Sequence, residues 1–271
     1  MIVWVTGASS GLGKYTAQAL RDAGHTVIAG ARSFERGQAE GMHRIPLDVT
    51  SDESAAAFVQ QALNIAPGVD ALVQCAGILT LGACEEVPVE EYRRIMETNF
   101  LGMVRMNQLV LPLMRNQGRG KIVMFSSING LLGIPFQSAY VASKHAIEGY
   151  AECLQLECRE HCIQVCLVEP GDHRGGSEQY RKRVSCDASP YTAAFAKGTA
   201  VIRRDEQNGS DSAALGRKVA RAMARKRMPF RLRVASADQH LAVYLHKLLP
   251  ARVNEKVLCS YYLGKSGKPS N

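Results

Sequence analysis

Tyr140 and Lys144 combine a phenol with an ammonium group at a spacing of four residues. On a helix, residues at i and i+4 lie on the same face. A free tyrosine has a pKa of about 10, and a neighbouring positive charge favours the phenolate and lowers that pKa. Such a pair suits proton exchange with the oxygen of a carbonyl or an alcohol. Taken alone, a Tyr–Lys pair is more often a surface contact, so its interpretation depends on the rest of the chain.

A glycine-rich loop at 6–13 follows an apolar run and opens a helical pattern. Glycines let the backbone turn sharply and approach a pyrophosphate, and a helix N-terminus offers it free N–H groups and partial positive charge. An ordinary Gly-Ser turn is the alternative, but the strand–loop–helix context favours a dinucleotide site. The residues predicted to contact the cofactor here are Gly7, Ser9, Ser10, Gly11, Leu12 and Gly13.

The end of the second predicted strand indicates which dinucleotide is bound. Enzymes that prefer NAD usually place a carboxylate there, which binds the adenosine 2′-hydroxyl. This chain has Ala31 followed by Arg32, with no acid. A guanidinium matches a 2′-phosphate in shape and charge, and the Ser10 hydroxyl in the opposite loop adds a donor. A solvent-facing arginine is the alternative, but the missing carboxylate favours NADP(H) over NAD(H).

The Gly-x3-Gly-x-Gly pattern at 7–13 and the Tyr-x3-Lys pattern at 140–144 together resemble the short-chain dehydrogenase/reductase family. The similarity runs from residue 2 to about residue 171. It implies an α/β fold with a doubly wound parallel sheet (Rossmann fold). It also implies an oxidoreductase that interconverts a ketone and a secondary alcohol by hydride transfer, with Tyr140 as general acid/base. The family resemblance further implies a homodimer or homotetramer.

The same resemblance implies a catalytic set of Asn99, Ser127, Tyr140 and Lys144. Ser127 would hydrogen-bond the substrate oxygen, and Ser126 is the alternative, expected to be structural. Asn99 would bend its helix and anchor a proton-relay water, which fits an Asn inside a helical pattern. Lys144 would also hold the ribose hydroxyls of the cofactor.

Further cofactor contacts are implied by the resemblance, and the chain departs from the family pattern at two of them. Gln74 and Cys75 replace two asparagines, which leaves a thiol beside the cofactor and suggests sensitivity to alkylation. The threonine that usually follows Pro-Gly is replaced within 172–176, where His173 or Arg174 would have to compensate. The implied contacts are Arg32, Asp48, Val49, Cys75, Ala76, Gly77, Tyr140, Lys144, Pro170, Gly171 and His173, with Asp48 binding the adenine amino group.

The elements that must position these residues alternate along the chain. Strands are predicted at 2–6, 25–31, 69–75, 121–126 and 163–169, with a weaker one at 43–47, and helices at 12–23, 51–65, 89–116 and 139–161. Repeated β–α–β units give a doubly wound sheet whose ligands lie at the carboxyl ends of the strands. We expect a single domain over 1–271, with a flexible substrate lid at 172–212. Helical patterns at 211–227 and 239–249 follow, the second within a C-terminal helical extension at 236–260.

Composition limits the alternatives. No uncharged apolar stretch approaches a membrane-spanning length, and a strand beginning at residue 2 leaves no room for a signal peptide. The eight cysteines lack regular spacing, so reduced thiols and a cytoplasmic location are predicted. Cys158, His161 and Cys162 cluster without further ligands, so no metal is expected.

The positive charge is concentrated in one segment. Residues 172–233 hold 15 Lys or Arg against 6 Asp or Glu, whereas the rest of the chain holds 18 against 19. A solvated surface, an anionic substrate or cofactor, and nucleic acid are the possible explanations. No zinc finger, RNA-binding signature or aromatic interleaving accompanies the charge, so nucleic acid is not expected.

The substrate is expected to be small and lipophilic. An apolar segment between Ser127 and Tyr140 would line the pocket, although its residues could equally pack in the core: Leu131, Leu132, Ile134, Pro135 and Phe136. The region 232–250 resembles the branch that contains 17β-hydroxysteroid and retinol dehydrogenases, which suggests a steroid, bile acid or retinoid. The alternatives are an NADP(H)-binding sensor with little turnover, and a relative that catalyses epimerisation or dehydration.

Overall fold

Ten strands occur in the computed structural model, which describes residues 1–174, 181–186 and 188–264. In chain order they are β1 (Ile2–Thr6), β2 (Thr26–Ala31), β3 (Gly37–Ala39), β4 (Met42–Pro46), β5 (Ala71–Gln74), β6 (Leu79–Leu81), β7 (Gly120–Phe125), β8 (Ile163–Pro170), β9 (Arg181–Arg183) and β10 (Arg231–Val234). Eight of these described strands form one sheet, while β6 and β9 pair in parallel as a second, smaller sheet.

The main sheet has the order β10-β8-β7-β5-β1-β2-β4-β3, and all neighbours are parallel except β3 and β4. Successive strands move away from β1 in both directions, so the direction of winding reverses between β1 and β5. In such a sheet, ligands bind in the crevice at the carboxyl ends of the strands beside that reversal. The predicted doubly wound parallel sheet is confirmed. Its strand order determines the crevice in which a ligand would bind.

Nine helices surround the sheet within the described residues. They are α1 (Gly11–Asp22), α2 (Asp52–Ile65), α3 (Val89–Met96), α4 (Gly102–Gln117), α5 (Ser138–Glu157), α6 (Thr192–Gln207), α7 (Ser212–Met223), α8 (Ala237–Leu248) and α9 (Ala251–Tyr262). The single helix predicted at 89–116 is interrupted by a turn of π-helix at Glu97–Leu101. The helix predicted at 139–161 ends at Glu157, and a short 3-10 turn follows. No described helix is both long and apolar enough to cross a membrane.

Both faces of the sheet are buried, which explains why its strands are apolar at consecutive positions. Along β1, Trp4 belongs to the core that α2, α4 and α5 cover, whereas Val3 and Val5 belong to the core that α1 and α7 cover. Successive residues of a strand point to opposite faces of the sheet, so alternate residues of β1 belong to different cores. All eight cysteines are free thiols, and the described residues contain no group of His, Cys, Asp and Glu that could hold a metal.

The segment predicted as a flexible excursion, 172–212, contains regular structure in its described part. It supplies β9, whose residues are all basic, and the whole of α6. Phe195 and Ile202 of α6 pack in a third apolar cluster with Leu79 and Leu81. The only large apolar residues of α6 are Phe195, Val201 and Ile202, with Gly198 between them, so the sequence pattern did not reveal this helix. Positions 175 and 176, the last two of the segment 172–176 where the family threonine is replaced, lie outside the described residues.

The edge strand β10 is held by a cluster of ion pairs. Arg231 donates to Glu169 at 2.7 Å and to Glu152 at 2.6 Å and also contacts Glu148, while Arg233 donates to Glu169 at 2.8 Å. Glu169 is completely buried, and burial raises the pKa of Glu148. Part of the basic segment 172–233 therefore neutralises internal carboxylates rather than facing a ligand.

Replacing Arg231 with alanine leaves Glu148 and Glu169 without their shared cation. Breaking a buried ion pair leaves a buried charge without a counter-charge. Arg231→Ala is therefore expected to lower the free energy of unfolding by about 3 to 5 kcal/mol, measured by urea denaturation. Arg217→Ala is the matched control, since its pair with Asp211 is exposed on both sides and is expected to matter far less. Equal effects of the two substitutions would contradict this role for Arg231.

Candidate active site

A cavity of about 730 Å³ opens at the carboxyl ends of the strands β1, β2, β5, β7 and β8. Its size falls within the range of about 300 to 1,000 Å³ typical of ligand pockets. Every residue predicted to contact the cofactor lines it: Gly7, Ser9, Ser10, Gly11, Leu12, Gly13, Arg32, Asp48, Val49, Cys75, Ala76, Gly77, Tyr140, Lys144, Pro170, Gly171 and His173. Ser127 lines it as well, whereas Asn99 lies behind the wall.

The glycine-rich loop fits a phosphate group because the backbone is bare where the loop crosses the end of β5. Gly7 has φ +68°, and a Cβ there would lie 2.6 Å from the Ala76 nitrogen. A Cβ on Gly13 would lie 2.2 Å from the Gly7 carbonyl oxygen. The N-cap residue of α1, Ser10, makes no side-chain capping bond, so the first N–H groups of the helix are left for a ligand.

Two predicted residues lie where the adenosine end of a dinucleotide would bind. Arg32 is exposed just past β2 and has no ion-pair partner within the described part of the chain. Asp48 accepts hydrogen bonds from the backbone nitrogen and the hydroxyl of Thr50, at 3.0 and 2.8 Å. The Asp48 carboxylate is therefore fixed at the rim of the cavity.

Tyr140 and Lys144 share one face of α5, and both face the cavity. The Tyr140 hydroxyl lies beside Ser127, close enough for that side chain to lower its pKa. The Lys144 ammonium lies 5.4 Å from the centre of the Tyr140 ring and donates to the Phe125 carbonyl oxygen at 2.7 Å. A carbonyl at the end of β7 thus fixes the direction of the lysine side chain.

Burial shifts the pKa of both groups toward the neutral form. It raises the pKa of Tyr140 to about 12, although the hydrogen bond with Ser127 acts in the opposite direction. It lowers the pKa of Lys144 to about 8. The expectation that Lys144 lowers the pKa of Tyr140 is not met here, because the ammonium is bonded to Phe125 and desolvation dominates. Tyr140 is therefore a neutral phenol near neutral pH, which suits proton donation.

The structure distinguishes the two serines after β7. The Ser127 oxygen accepts from the backbone nitrogen of Asn129 at 3.1 Å, donates to the Pro170 carbonyl at 3.4 Å and faces Tyr140. Ser126 is buried with its oxygen against Gly130, where an added Cβ would approach it to 2.6 Å. Ser127 therefore has the geometry to orient a substrate oxygen.

Asn99 lies in the π-helical turn and is fully buried. Its side chain bonds both the nitrogen and the carbonyl of Ile78, at 2.8 and 2.9 Å, and donates to the Ser143 hydroxyl at 3.0 Å. Ser143 in turn donates to the Tyr140 carbonyl at 2.7 Å. Asn99 therefore links the chain after β5 to the helix that carries Tyr140, and both of its amide hydrogens are used. Its anchoring of a proton-relay water stays a prediction.

The structure shows the consequence of each departure from the family pattern. Gln74 donates to Asn107 at 2.8 Å in the core, away from the cavity. Burial raises the pKa of the Cys75 thiol, and a thiol that resists ionisation is a poor nucleophile, which argues against the suggested sensitivity to alkylation. His173 hydrogen-bonds the Gly171 carbonyl through Nδ1 at 2.9 Å, while its buried Nε2 has no partner among the described residues. Between His173 and Arg174, only His173 lines the cavity with a polar atom left for a ligand.

Some lining residues had not been identified from the sequence. Glu206 arrives from α6, and Asn129, Gln137 and Asp172 complete the polar wall. Asp172 could have been predicted to line the cavity because it directly follows Pro170-Gly171. No local sequence pattern indicates that Glu206 lines it. The apolar segment 131–136, expected at the pocket, packs into the third cluster instead. The apolar wall of the described cavity comes from Ile78, Leu79 and Ile128 among others.

Comparison with known proteins identifies a matching family and several similar proteins. A family model described as "short chain dehydrogenase" matches residues 1–182. The chain is similar to 3-ketodihydrosphingosine reductase of Bacteroides thetaiotaomicron, with 38% identity over 263 residues that cover 96% of this chain and 97% of the relative. It is also similar to dehydrogenase/reductase SDR family member 7B of Xenopus laevis, with 31% identity, 92% of this chain and 78% of the relative.

Solved structures agree with the fold. A short-chain dehydrogenase from Streptomyces avermitilis matches with a TM-score of 0.80 and 30% identity, covering 96% of this chain and 97% of that one. An alcohol dehydrogenase from Thermococcus sibiricus, solved in complex with 5-hydroxy-NADP, matches with a TM-score of 0.71 and 23% identity, covering 87% of this chain and 96% of that one. The second similarity shows the fold alone.

The packing at Gly13 gives a direct test of the loop. Gly13→Ala forces the backbone of the loop to shift, and a strain of about 1 to 3 kcal/mol corresponds to a tenfold to hundredfold loss of NADPH or NADH affinity. Titration followed by nicotinamide fluorescence measures it. Gly133→Ala is the control, because an added Cβ there meets nothing within 4 Å. Unchanged affinity in Gly13→Ala would exclude the loop as the cofactor site.

Proposed function

The chain belongs to the short-chain dehydrogenase family and is an oxidoreductase of alcohols or ketones that uses a nicotinamide dinucleotide, and on that premise we propose an NADPH-dependent ketone reductase of lipophilic substrates. One observation carries the proposal: Tyr140 and Ser127 line the same cavity as every predicted cofactor residue. The residues therefore bring a proton donor and a dinucleotide cradle to one place.

The bound dinucleotide supplies the hydride. Ser127 orients the substrate carbonyl by donating a hydrogen bond to its oxygen, and Tyr140 gives that oxygen a proton. Lys144, held by Phe125, places a buried cation beside the phenol and the cofactor ribose. A pKa of about 12 for Tyr140 keeps its proton in place at neutral pH, so the side chain can donate it to the carbonyl oxygen.

Preference for NADPH rests on Arg32. Its guanidinium is exposed at the end of β2 and lines the cavity, and the preceding residue, Ala31, is not an acid. A phosphate there meets a planar, permanently charged donor group.

Removing that guanidinium tests the cofactor choice. Arg32→Ala is expected to weaken NADPH binding about tenfold to a hundredfold, the value of one or more charge-assisted hydrogen bonds, with little change for NADH. Parallel titrations of both cofactors measure the ratio. Arg36→Ala is the matched control, since Arg36 is also exposed but does not line the cavity. An equal loss for both cofactors would remove the argument for NADPH.

The substrate we propose is a long-chain amino ketone of the kind named in the relative, 3-ketodihydrosphingosine. The similarity to that relative extends over nearly the whole of both chains. Steroid, bile-acid and retinoid ketones, suggested by the sequence, are the alternatives. The described part of the predicted lid at 172–212 contributes Asp172, His173 and Glu206 to the wall, which supports its proposed role over the substrate.

Turnover by Tyr140→Phe tests the reductase itself. Loss of the proton donor is expected to lower kcat about a hundredfold to ten-thousandfold, while NADPH binding persists. NADPH absorbance is followed with 3-ketodihydrosphingosine, keto-steroids, keto-bile acids and retinal. Tyr150→Phe is the control, because it removes a tyrosine hydroxyl that bonds Asn107 outside the cavity. Tight NADPH binding by the unmodified protein without turnover of any ketone would favour a cofactor-sensing protein instead.

A further inference from the structure

Two carboxylates stand in the cavity wall beside Tyr140, and they differ in their partners. Glu206 of α6 is bonded to Arg181, whose side chain is almost completely buried. Asp172 follows β8 and accepts from the amide nitrogen of Gln239 through Oδ2. No Lys, Arg or His within the described residues pairs with Asp172. Its other oxygen, Oδ1, has no partner there and is not enclosed by protein.

The surroundings of Asp172 are acidic on several sides. Burial, with the charges of Glu206, Asp205 and Asp238, raises the pKa of its carboxyl to about 6, which the hydrogen bond from Gln239 opposes. The titratable groups around it are Glu206 and Asp205 on α6, Asp238 on α8, Tyr262 on α9, Tyr140 on α5 and the adjacent His173. Asp205 is paired with Arg204 and Glu206 with Arg181, whereas Asp172 and Asp238 have no salt-bridge partner among the described residues.

We propose that Asp172 forms a subsite for a substrate ammonium group next to the reactive carbonyl. The proposal rests on the reductase function above and names the feature of the substrate that the pocket selects. An ammonium supplies the missing counter-charge and donates to the open Oδ1, and such charge-assisted bonds are the strong ones. Asp172 is only partly buried, so the lack of a cation costs less than it would in the core, but a bound ammonium offsets the desolvation that it does experience.

The position relative to Tyr140 suits an amine near the carbonyl carbon. Asp172 is close enough to Tyr140 that its negative charge helps to raise the pKa of the phenol. Because Asp172 and Tyr140 line the same cavity, a substrate whose carbonyl oxygen meets Tyr140 and Ser127 can extend a nearby amine toward Asp172. Such an amine resembles an α-amino group, whose pKa is about 8, so it is protonated while Asp172 is ionised between about pH 6 and pH 8.

A purely structural role for Asp172 does not account for both of its oxygens. The side-chain oxygen of Gln239 (Oε1) accepts from the backbone nitrogens of Asp172 and Ser236, each at 3.3 Å. These two bonds tie the loop after β8 to α8. The backbone of Asp172 also accepts from the Ser210 nitrogen at 2.9 Å. The loop is therefore anchored through its backbone, and Oδ1 is left for a ligand.

The first experiment compares two ketones that differ only in the amine. NADPH-dependent reduction of 3-ketodihydrosphingosine and of the same chain without the amino group is measured for the unmodified protein, Asp172→Asn and Asp205→Asn. The preference in kcat/KM for the amino ketone is expected to fall about tenfold to a hundredfold in Asp172→Asn, mainly through KM. Asp205→Asn removes the same charge outside the cavity and is expected to keep the preference. Equal losses on both ketones, or an unchanged preference, would overturn the subsite.

A binding measurement separates this proposal from the reductase function. Calorimetric titration of the NADP⁺ complex with dihydrosphingosine and with its analogue lacking the amino group requires no turnover. Stronger binding of the amine that disappears in Asp172→Asn supports the subsite even if no ketone is reduced, in which case the reductase proposal alone fails. Reduction of both ketones together with equal binding of both ligands by the unmodified protein leaves the reductase standing and excludes the subsite.

Discussion

Backbone packed directly against backbone at the end of β1 is the constraint on which the rest of the site depends. The Gly7 carbonyl occupies the space that a side chain on Gly13 would need, and Gly7 itself touches the chain at Ala76. This contact brings the start of α1 beside the end of β5, at the point where the direction of winding of the sheet reverses. The cavity exists because two loops meet there without side chains between them, and free N–H groups then face its interior.

Burial then determines the charges of the groups that the fold has placed there. Tyr140 is kept as a neutral phenol and Lys144 loses basicity, although a sequence motif alone suggests that the lysine makes the tyrosine more acidic. A hydrogen bond to the Phe125 carbonyl fixes the Lys144 side chain before any ligand arrives, while Ser143 bonds the backbone carbonyl of Tyr140. Asp172 experiences the same desolvation, but without a cation, so the same physical effect that prepares the proton donor also prepares an acceptor for positive charge.

Local patterns were sufficient wherever the determining contacts are local. Apolar runs covered on both faces gave the strands of the parallel sheet, and a spacing of four residues placed Tyr140 with Lys144. They were insufficient for β9, a run of three basic residues that becomes a strand only by pairing with β6. They also left open whether the segment 131–136 lines the pocket or packs in the core, and in the structure its apolar residues pack in the third cluster with residues of α6. In both cases the partner is distant along the chain.

The sequence by itself determined the sheet, its phosphate-binding loop and the type of chemistry at Tyr140, because these depend on glycine conformation, strand character and helical spacing within short windows. Only the tertiary structure decided which groups are desolvated, where Lys144 points, and that Asp172 and Glu206 share a wall with the phenol. Those outcomes depend on contacts between residues far apart in the chain. Desolvation and ion pairing are properties of the assembled neighbourhood, so no local pattern encodes them.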